Sequence, residues 1–214
     1  MKSKLMTALL IVVLMLFAIS AGIAAPILSR PFYLLHVRSL ELPAQTGYSE
    51  AEIMEAYDDV MRFCLHGGDF STGRLGWTET GRTHFADVGV LFRLDLWVLG
   101  CSAALLLILF LLSRRVKCAR PLGRGPSFWA GWSVLTLFAA IGLWGAADFD
   151  RAFTVFHHVF FPGKTNWLFD PAQDEIITIL PEVFFRNCAL LAIGVISAIC
   201  IVCILLGRKK KERE

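Results

Sequence analysis

Charge is what this chain has least of. Asp, Glu, Lys and Arg make up only 18% of its 214 residues while 56% are hydrophobic, a balance that places it among membrane proteins rather than soluble domains. There is no internal repeat and no low-complexity segment. The six cysteines form no redox or zinc pattern. Cys101, Cys200 and Cys203 fall in apolar runs, where "CIVC" reads as packing, and Cys118 lies in a basic loop. Only Cys64 and Cys188 could meet outside a membrane, and nothing in the sequence asks them to pair. A His-Glu-x-x-His pattern is absent, as is a serine or cysteine nucleophile motif, and no histidine lies within a long apolar run.

What is present is four long, nearly uncharged runs: Leu5 to Ser29, Leu96 to Leu112, Phe128 to Ala147 and Cys188 to Gly207. About 20 helical residues cross a hydrocarbon core of about 30 Å. The second run is short, but it extends through Val90 to Leu94 if Arg93 snorkels outward. The expected fold is an all-α polytopic membrane protein. Transmembrane helices are expected at 5–29, 90–113, 127–147 and 188–207, with outer segments at 30–89 and 148–187, a basic loop at 114–126 and a basic tail at 208–214.

Basic residues set the orientation. Lys2, Lys4, Arg114, Arg115, Lys117, Arg120, Arg124, Arg208, Lys209, Lys210, Lys211 and Arg213 are accompanied by only Glu212 and Glu214, whereas the two other segments hold 15 acidic and 8 basic residues. The positive-inside rule puts both termini in the cytoplasm and both acidic segments outside. The tail "GRKKKERE" is then an orientation anchor and a contact for membrane lipids, with no nucleic-acid partner. "MKSK" and "SAGIAA" resemble the ends of a signal peptide, but the apolar run is long and Pro26 follows the candidate cleavage site, which favours an uncleaved first helix. Trp97 and Trp144 suit the outer interface, and Trp129 and Trp132 the inner one.

The first outer segment contains a helix at 49–66, opening with Ser49 and Glu52 at capping-box spacing and closing on Gly67 and Gly68. Its apolar stripe is Ile53, Tyr57, Val60, Met61, Cys64 and Leu65, which implies an ordered extracytoplasmic cap rather than a loose loop. All five histidines, His36, His66, His84, His157 and His158, fall in the outer segments. In "THFADVGVLFRLDLW" His84 shares a helical face with Asp87, which could accept a hydrogen bond from His84 or hold a nearby cation, although a lone His-x-x-Asp better suits an ordinary polar start to a membrane helix. In "RAFTVFHHVFFPG" Phe153, Phe160 and Phe161 flank His157, while His158 points about 100 degrees away. That stretch is too short to span and too aromatic to float free, so it belongs in the outer interface, with Phe156 and the downstream Trp167. One such histidine reads as an anchor reaching headgroups. Two at bilayer depth suggest a functional pair.

In their order, "HFADV" at 84–88, "FHHVFF" at 156–161, "NWLFDP" at 166–171 and "LPEVFF" at 180–185 resemble the Lit family, the lipoprotein intramolecular transacylases of Gram-positive bacteria. The resemblance covers most of the chain. It implies an acyltransferase of the bacterial cytoplasmic membrane, with its site facing outside and diacylglyceryl-modified lipoproteins as substrate. The sn-2 acyl chain would move to the α-amine of the N-terminal cysteine, giving a lyso-lipoprotein, with no cofactor and no metal. The family pattern Phe-His-x-x-Phe-Phe selects His157 and leaves His158 as the variable position; the resemblance implies His157 and His84 as catalytic, with Asp87 and His158 supporting. Phe153, Phe156, Phe160, Phe161 and Trp167 would shape the acyl-chain site. Phenylalanine packing favours a neutral His157 as base, and Asp87 favours a protonated His84 as acid, which predicts a bell-shaped pH profile. Two other classes remain open: a haem- or metal-binding membrane protein using the outer histidines, and a non-catalytic scaffold presenting the acidic outer region.

Overall fold

The computed structural model describes residues 3–113 and 117–208. Lys2, Arg114, Arg115, Lys209, Lys210, Lys211, Glu212, Arg213 and Glu214, on which part of the charge argument rests, lie outside the described residues. Among the described residues the regular elements are α-helices and two short 3-10 turns, and the one extended pairing is an isolated bridge between Ser3 and Cys118. Among the described residues, four helices are long and apolar enough to cross a membrane: α1 (Lys4–Leu28), α5 (Glu79–Ser113), α6 (Pro126–Ala147) and α8 (Glu182–Gly207). The chain divides into two compact units.

The first unit comprises Met1–Ala25, Asp95–Trp144 and Leu190–Glu214. Its small core gathers Ala18, Val134, Ile196 and Cys200, and many of its large apolar side chains, such as Leu107, Leu143 and Leu206, point outward. Small residues let these helices touch backbone to backbone, because apolar tails give helices in lipid no hydrophobic reason to associate. A Cβ on Gly22 would lie 2.8 Å from the Ala192 carbonyl oxygen. The loop after α5 is tied to the ends of two helices. Ser3 N donates to the Lys117 carbonyl at 2.9 Å, Thr7 Oγ1 to that of Ala119 at 3.0 Å, and Gly125 N to that of Gly207 at 2.8 Å. The start of α1, the α5–α6 loop and the end of α8 therefore share one side of this unit.

The second unit comprises Pro26–Leu94 and Gly145–Ala189. It holds α2 (Arg30–Ser39), α3 (Leu42–Thr46), α4 (Glu50–His66), α7 (Phe149–Phe160) and the opening turns of α5. It has a true core: Tyr33, Val37, Leu42, Ile53, Ala56, Tyr57, Val60, Cys64, Phe85, Ile176, Ile179 and Phe184 are all buried. Tyr33 stacks on Tyr57 at 3.8 Å and its hydroxyl donates to the Ile179 carbonyl at 2.9 Å, so the apolar pack also satisfies a polar backbone group. Helix α4 starts on Ser49, with both capping-box bonds to Glu52 made, and stops at Gly67, whose φ of +76 favours glycine. Its covered face is wider than the sequence stripe. Met54, Ala56 and Phe63 are also buried, whereas Met61 and Leu65 lie half-buried at the margin.

Two polar contacts fix the start of α5. Asp174 is buried and accepts from Thr78 N at 2.7 Å and from Thr78 Oγ1, which in turn accepts from Gly81 N at 3.0 Å. Three turns on, Arg93 Nη1 donates to the Cys64 carbonyl at 2.5 Å and so closes the C-terminal end of α4 rather than reaching for solvent. Asp174→Ala is expected to cost about 2 kcal/mol, the scale of a buried charge-assisted cap. It should lower the thermal midpoint in detergent by several degrees. Gly81→Ala, whose Cβ would collide with the Asp174 carboxylate, should behave similarly.

Candidate active site

Helix α7 begins on Asp148, whose carboxylate accepts from Arg151 N at 3.0 Å. Its apolar side chains are split between two faces. His157 is buried, while Val155, Phe156, Val159 and Phe160 are exposed. The imidazole of His157 lies in an aromatic nest, 4.2 Å from Phe153, 4.5 Å and stacked on Trp167, and 5.7 Å from Phe161. Its Nδ1 is 2.8 Å from the Phe153 carbonyl oxygen. A carbonyl only accepts, so Nδ1 carries the proton and the lone pair of the neutral ring resides on Nε2.

His84 comes to the same place from α5. That helix has 35 residues, about 50 Å at the usual rise, against a hydrocarbon core of about 30 Å. Its opening turns, with Glu79, Arg82, His84 and Asp87, precede the apolar stretch. The His84 ring is buried 5.0 Å from Phe161 and 5.4 Å from Phe169, and its centroid is 5.8 Å from that of His157, with the planes 30° apart. No hydrogen bond joins the two rings.

Of the residues singled out in the sequence, His84, His157, Phe153, Phe161 and Trp167 form one cluster. Phe156 meets His157 edge-on at 5.4 Å, but half of it is exposed. Phe160 packs on Phe156 at 4.7 Å and stands outside the nest. His158 is exposed, with its ring 5.8 Å from Trp167. Asp87 adjoins the cluster without hydrogen bonding to His84. Its Oδ1 accepts from Lys164 Nζ at 2.6 Å and its Oδ2 from Asn166 Nδ2 at 3.0 Å. Lys164, Asn166 and Phe169 were not selected from the sequence. The last two stand within "NWLFDP", where the amide of Asn166 is the signal for a partner of Asp87, whereas nothing local marks Lys164.

The remaining histidines have other surroundings. His36 is a structural core residue, with Nδ1 2.7 Å from the Phe32 carbonyl and Nε2 accepting from Asn187 Nδ2 at 2.8 Å. His66 is exposed at the end of α4. Among the described residues, no three His, Cys, Asp or Glu side chains come together as metal ligands. Cys64 and Cys188 are separate thiols.

Burial sets the protonation of the pair. It pushes the His84 pKa down to about 4, the neighbouring His157 pushes the same way, and Asp87 offsets only part of this. Burial also lowers the pKa of His157, against the Phe153 carbonyl that favours its charged form. Burial raises the Asp87 pKa, but Lys164 and Asn166 outweigh it and the carboxyl stays below its ordinary range. The Asp87 charge is thus taken up by Lys164 and Asn166, and His84 is held neutral rather than protonated.

A family model described as lipoprotein intramolecular transacylase Lit matches residues 8–185. No curated protein matches the chain. Among solved structures, the membrane-integral lipoprotein intramolecular transacylase Lit from Bacillus cereus superposes with a TM-score of 0.85 at 23% identity, over 95% of this chain and 93% of that one. Histidine-to-arginine and histidine-to-alanine variants of the same protein each superpose with a TM-score of 0.79 at 22% identity, over 95% of this chain and 89% and 90% of theirs.

The buried neutral His84 gives stability a pH dependence of definite sign. An unfolded histidine takes a proton near pH 6.5, whereas folded His84 refuses it until about pH 4. Between those values the unfolded state binds more protons, so stability falls as the pH drops through that window. Unfolding in detergent at pH 7 and pH 5 measures the slope, and His84→Gln is expected to flatten it.

Proposed function

The chain belongs to the Lit family of lipoprotein intramolecular transacylases and is an acyltransferase integral to the membrane. On that footing we propose that it moves the sn-2 acyl chain of a diacylglyceryl lipoprotein onto the α-amine of the same N-terminal cysteine. The product is a lyso-lipoprotein. We also place both termini in the cytoplasm and the second unit outside the bacterial cytoplasmic membrane, as an ordered cap at the outer surface. The asymmetry of basic residues and the shared side of the α1 start, the α5–α6 loop and the α8 end support this orientation.

The observation that carries the site assignment is the pair of buried, neutral imidazoles 5.8 Å apart in an aromatic nest. The substrate amine, with pKa about 8, attacks the ester carbonyl only when deprotonated. As the C–N bond forms, a neutral imidazole Nε2 takes the amine proton. As the C–O bond breaks, that proton passes to the departing glycerol oxygen, leaving an amide and a hydroxyl and restoring the imidazole. Nucleophile and ester lie in one molecule, so holding them together supplies much of the acceleration without an acyl-enzyme. His157 and His84 share this proton traffic, and Phe153, Phe161, Phe169 and Trp167 exclude water around it. The exposed Phe156 and Phe160 suit contact with acyl chains.

His84→Ala and His157→Ala are each expected to cut conversion at least about 100-fold, the usual weight of a general base. His158→Ala should remain within a few-fold of the parent. Lyso-product from a co-expressed lipoprotein, measured by mass spectrometry, provides the test, and normal conversion by either of the first two variants would remove that histidine from the mechanism.

Cys64→Ser is expected to stay active, because burial pushes that thiol up to about 12 and no thiolate is available. Capture of a competent acylated cysteine would overturn the direct route.

Neither imidazole has to be cationic, so the rate should rise as the substrate amine loses its proton and then level off, without the falling limb of an acid–base pair. A limb that falls near neutral pH and moves in Asp87→Asn would restore the protonated His84 acid.

A further inference from the structure

Two buried polar atoms at this site have no partner: Nδ1 of His84 and Oδ1 of Asn166. A buried donor or acceptor without a hydrogen bond costs about 1–3 kcal/mol, so an unpaired couple in a packed site calls for a reason. The Asn166 amide has only one orientation. The Asp87 carboxylate accepts and cannot donate, so the group 3.0 Å from its Oδ2 is Nδ2, and Oδ1 faces the other way. Asp87 is itself fixed by Lys164 at 2.6 Å. The charged or titratable groups facing His84 are Asp87 from its own helix, His157 from α7 and Lys164 from the following loop. Both Asp87 oxygens are taken by Lys164 and Asn166. The Asn166 side chain acts on the His84 ring in the sense that favours its protonated form.

We propose that Asn166 is the positioning residue of His84: its Oδ1 receives Nδ1–H, which fixes the tautomer with Nε2 free, while Asp87 and Lys164 keep the amide from turning over. The bond is slack in the resting molecule and closes as Nε2 takes the amine proton and Nδ1–H becomes a stronger donor. Both imidazoles then present the same nitrogen, because His157 is fixed in the same way by the Phe153 carbonyl. The role rests on the transacylase reading above, but the tautomer does not.

Nitrogen-15 NMR of histidine-labelled protein in lipid nanodiscs, without substrate, tests the tautomer directly. In the parent protein His84 is expected as the Nδ1–H form. Asn166→Leu should give a mixture of tautomers and lower kcat about 10- to 100-fold, with KM changed less than about 3-fold. Asn166→Asp places a carboxylate opposite Nδ1, should raise the His84 pKa by at least about one unit, and should retain more activity than Asn166→Leu. An unchanged His84 tautomer and pKa in both variants would overturn the proposal, whatever happens to turnover. If Asn166→Leu fails to fold, the shift in Asn166→Asp decides alone. A shifted tautomer together with a fully active His84→Ala protein would uphold the positioning contact and reject the transacylase role of His84.

Discussion

Desolvation of two imidazoles is the constraint around which the second unit is arranged. Burying a polar ring is tolerable only if its charged form is given up or its nitrogens find partners. His157 meets this with one bond to the Phe153 carbonyl, and His84 meets it less completely. The surrounding rings of Phe153, Phe161, Trp167 and Phe169 have neither strong donors nor acceptors facing the pair, apart from the Trp167 N–H, which is spent on the Lys164 carbonyl at 3.1 Å. Among such rings each imidazole resists taking a proton, because the charged form would lose its solvation there.

The supporting frame answers a different demand. Helix α5 has to deliver His84 to a fixed place, and its start is held from outside the helix. Asp174 and Glu175 accept from Thr78 and Gly76 at one end, with Gly76 N at 2.6 Å from Glu175. Arg93 and the close approach of Gly89 to the Cys64 carbonyl hold it from α4. His36 belongs to this frame too. With both nitrogens paired to Phe32 and Asn187, it joins α2 to the start of α8 and has nothing left to offer a substrate.

Patterns that depend on neighbours three or four residues away were legible in the sequence. The capping box at Ser49 and Glu52, the glycine stop at Gly67 and the buried face of His157 beside Phe153 are of that kind. So were the four long apolar helices, because length and composition alone specify them. What was not legible depends on partners far along the chain. The spacing of His84 and Asp87 left two uses for the carboxylate, a bond from His84 or a nearby cation, and could not name the partners that decide it: Lys164 and Asn166 arrive from nearly eighty residues away. The aromatic stripe likewise implied that Phe160 lines the nest, but the turn after α7 sends Phe161 inward and leaves Phe160 outside.

The bonds from Asp87 to Lys164 and Asn166 close loops of 77 and 79 residues, and these loops contain the rest of α5 and all of α6. A chain still emerging from the ribosome possesses His84 long before it possesses His157. Contacts of such separation form late, after the intervening helices have been made and inserted. An unfinished or misinserted copy therefore holds one histidine in an incomplete nest, open to water and without its companion. The paired cluster is complete only once synthesis has passed Phe169, shortly before α8 begins.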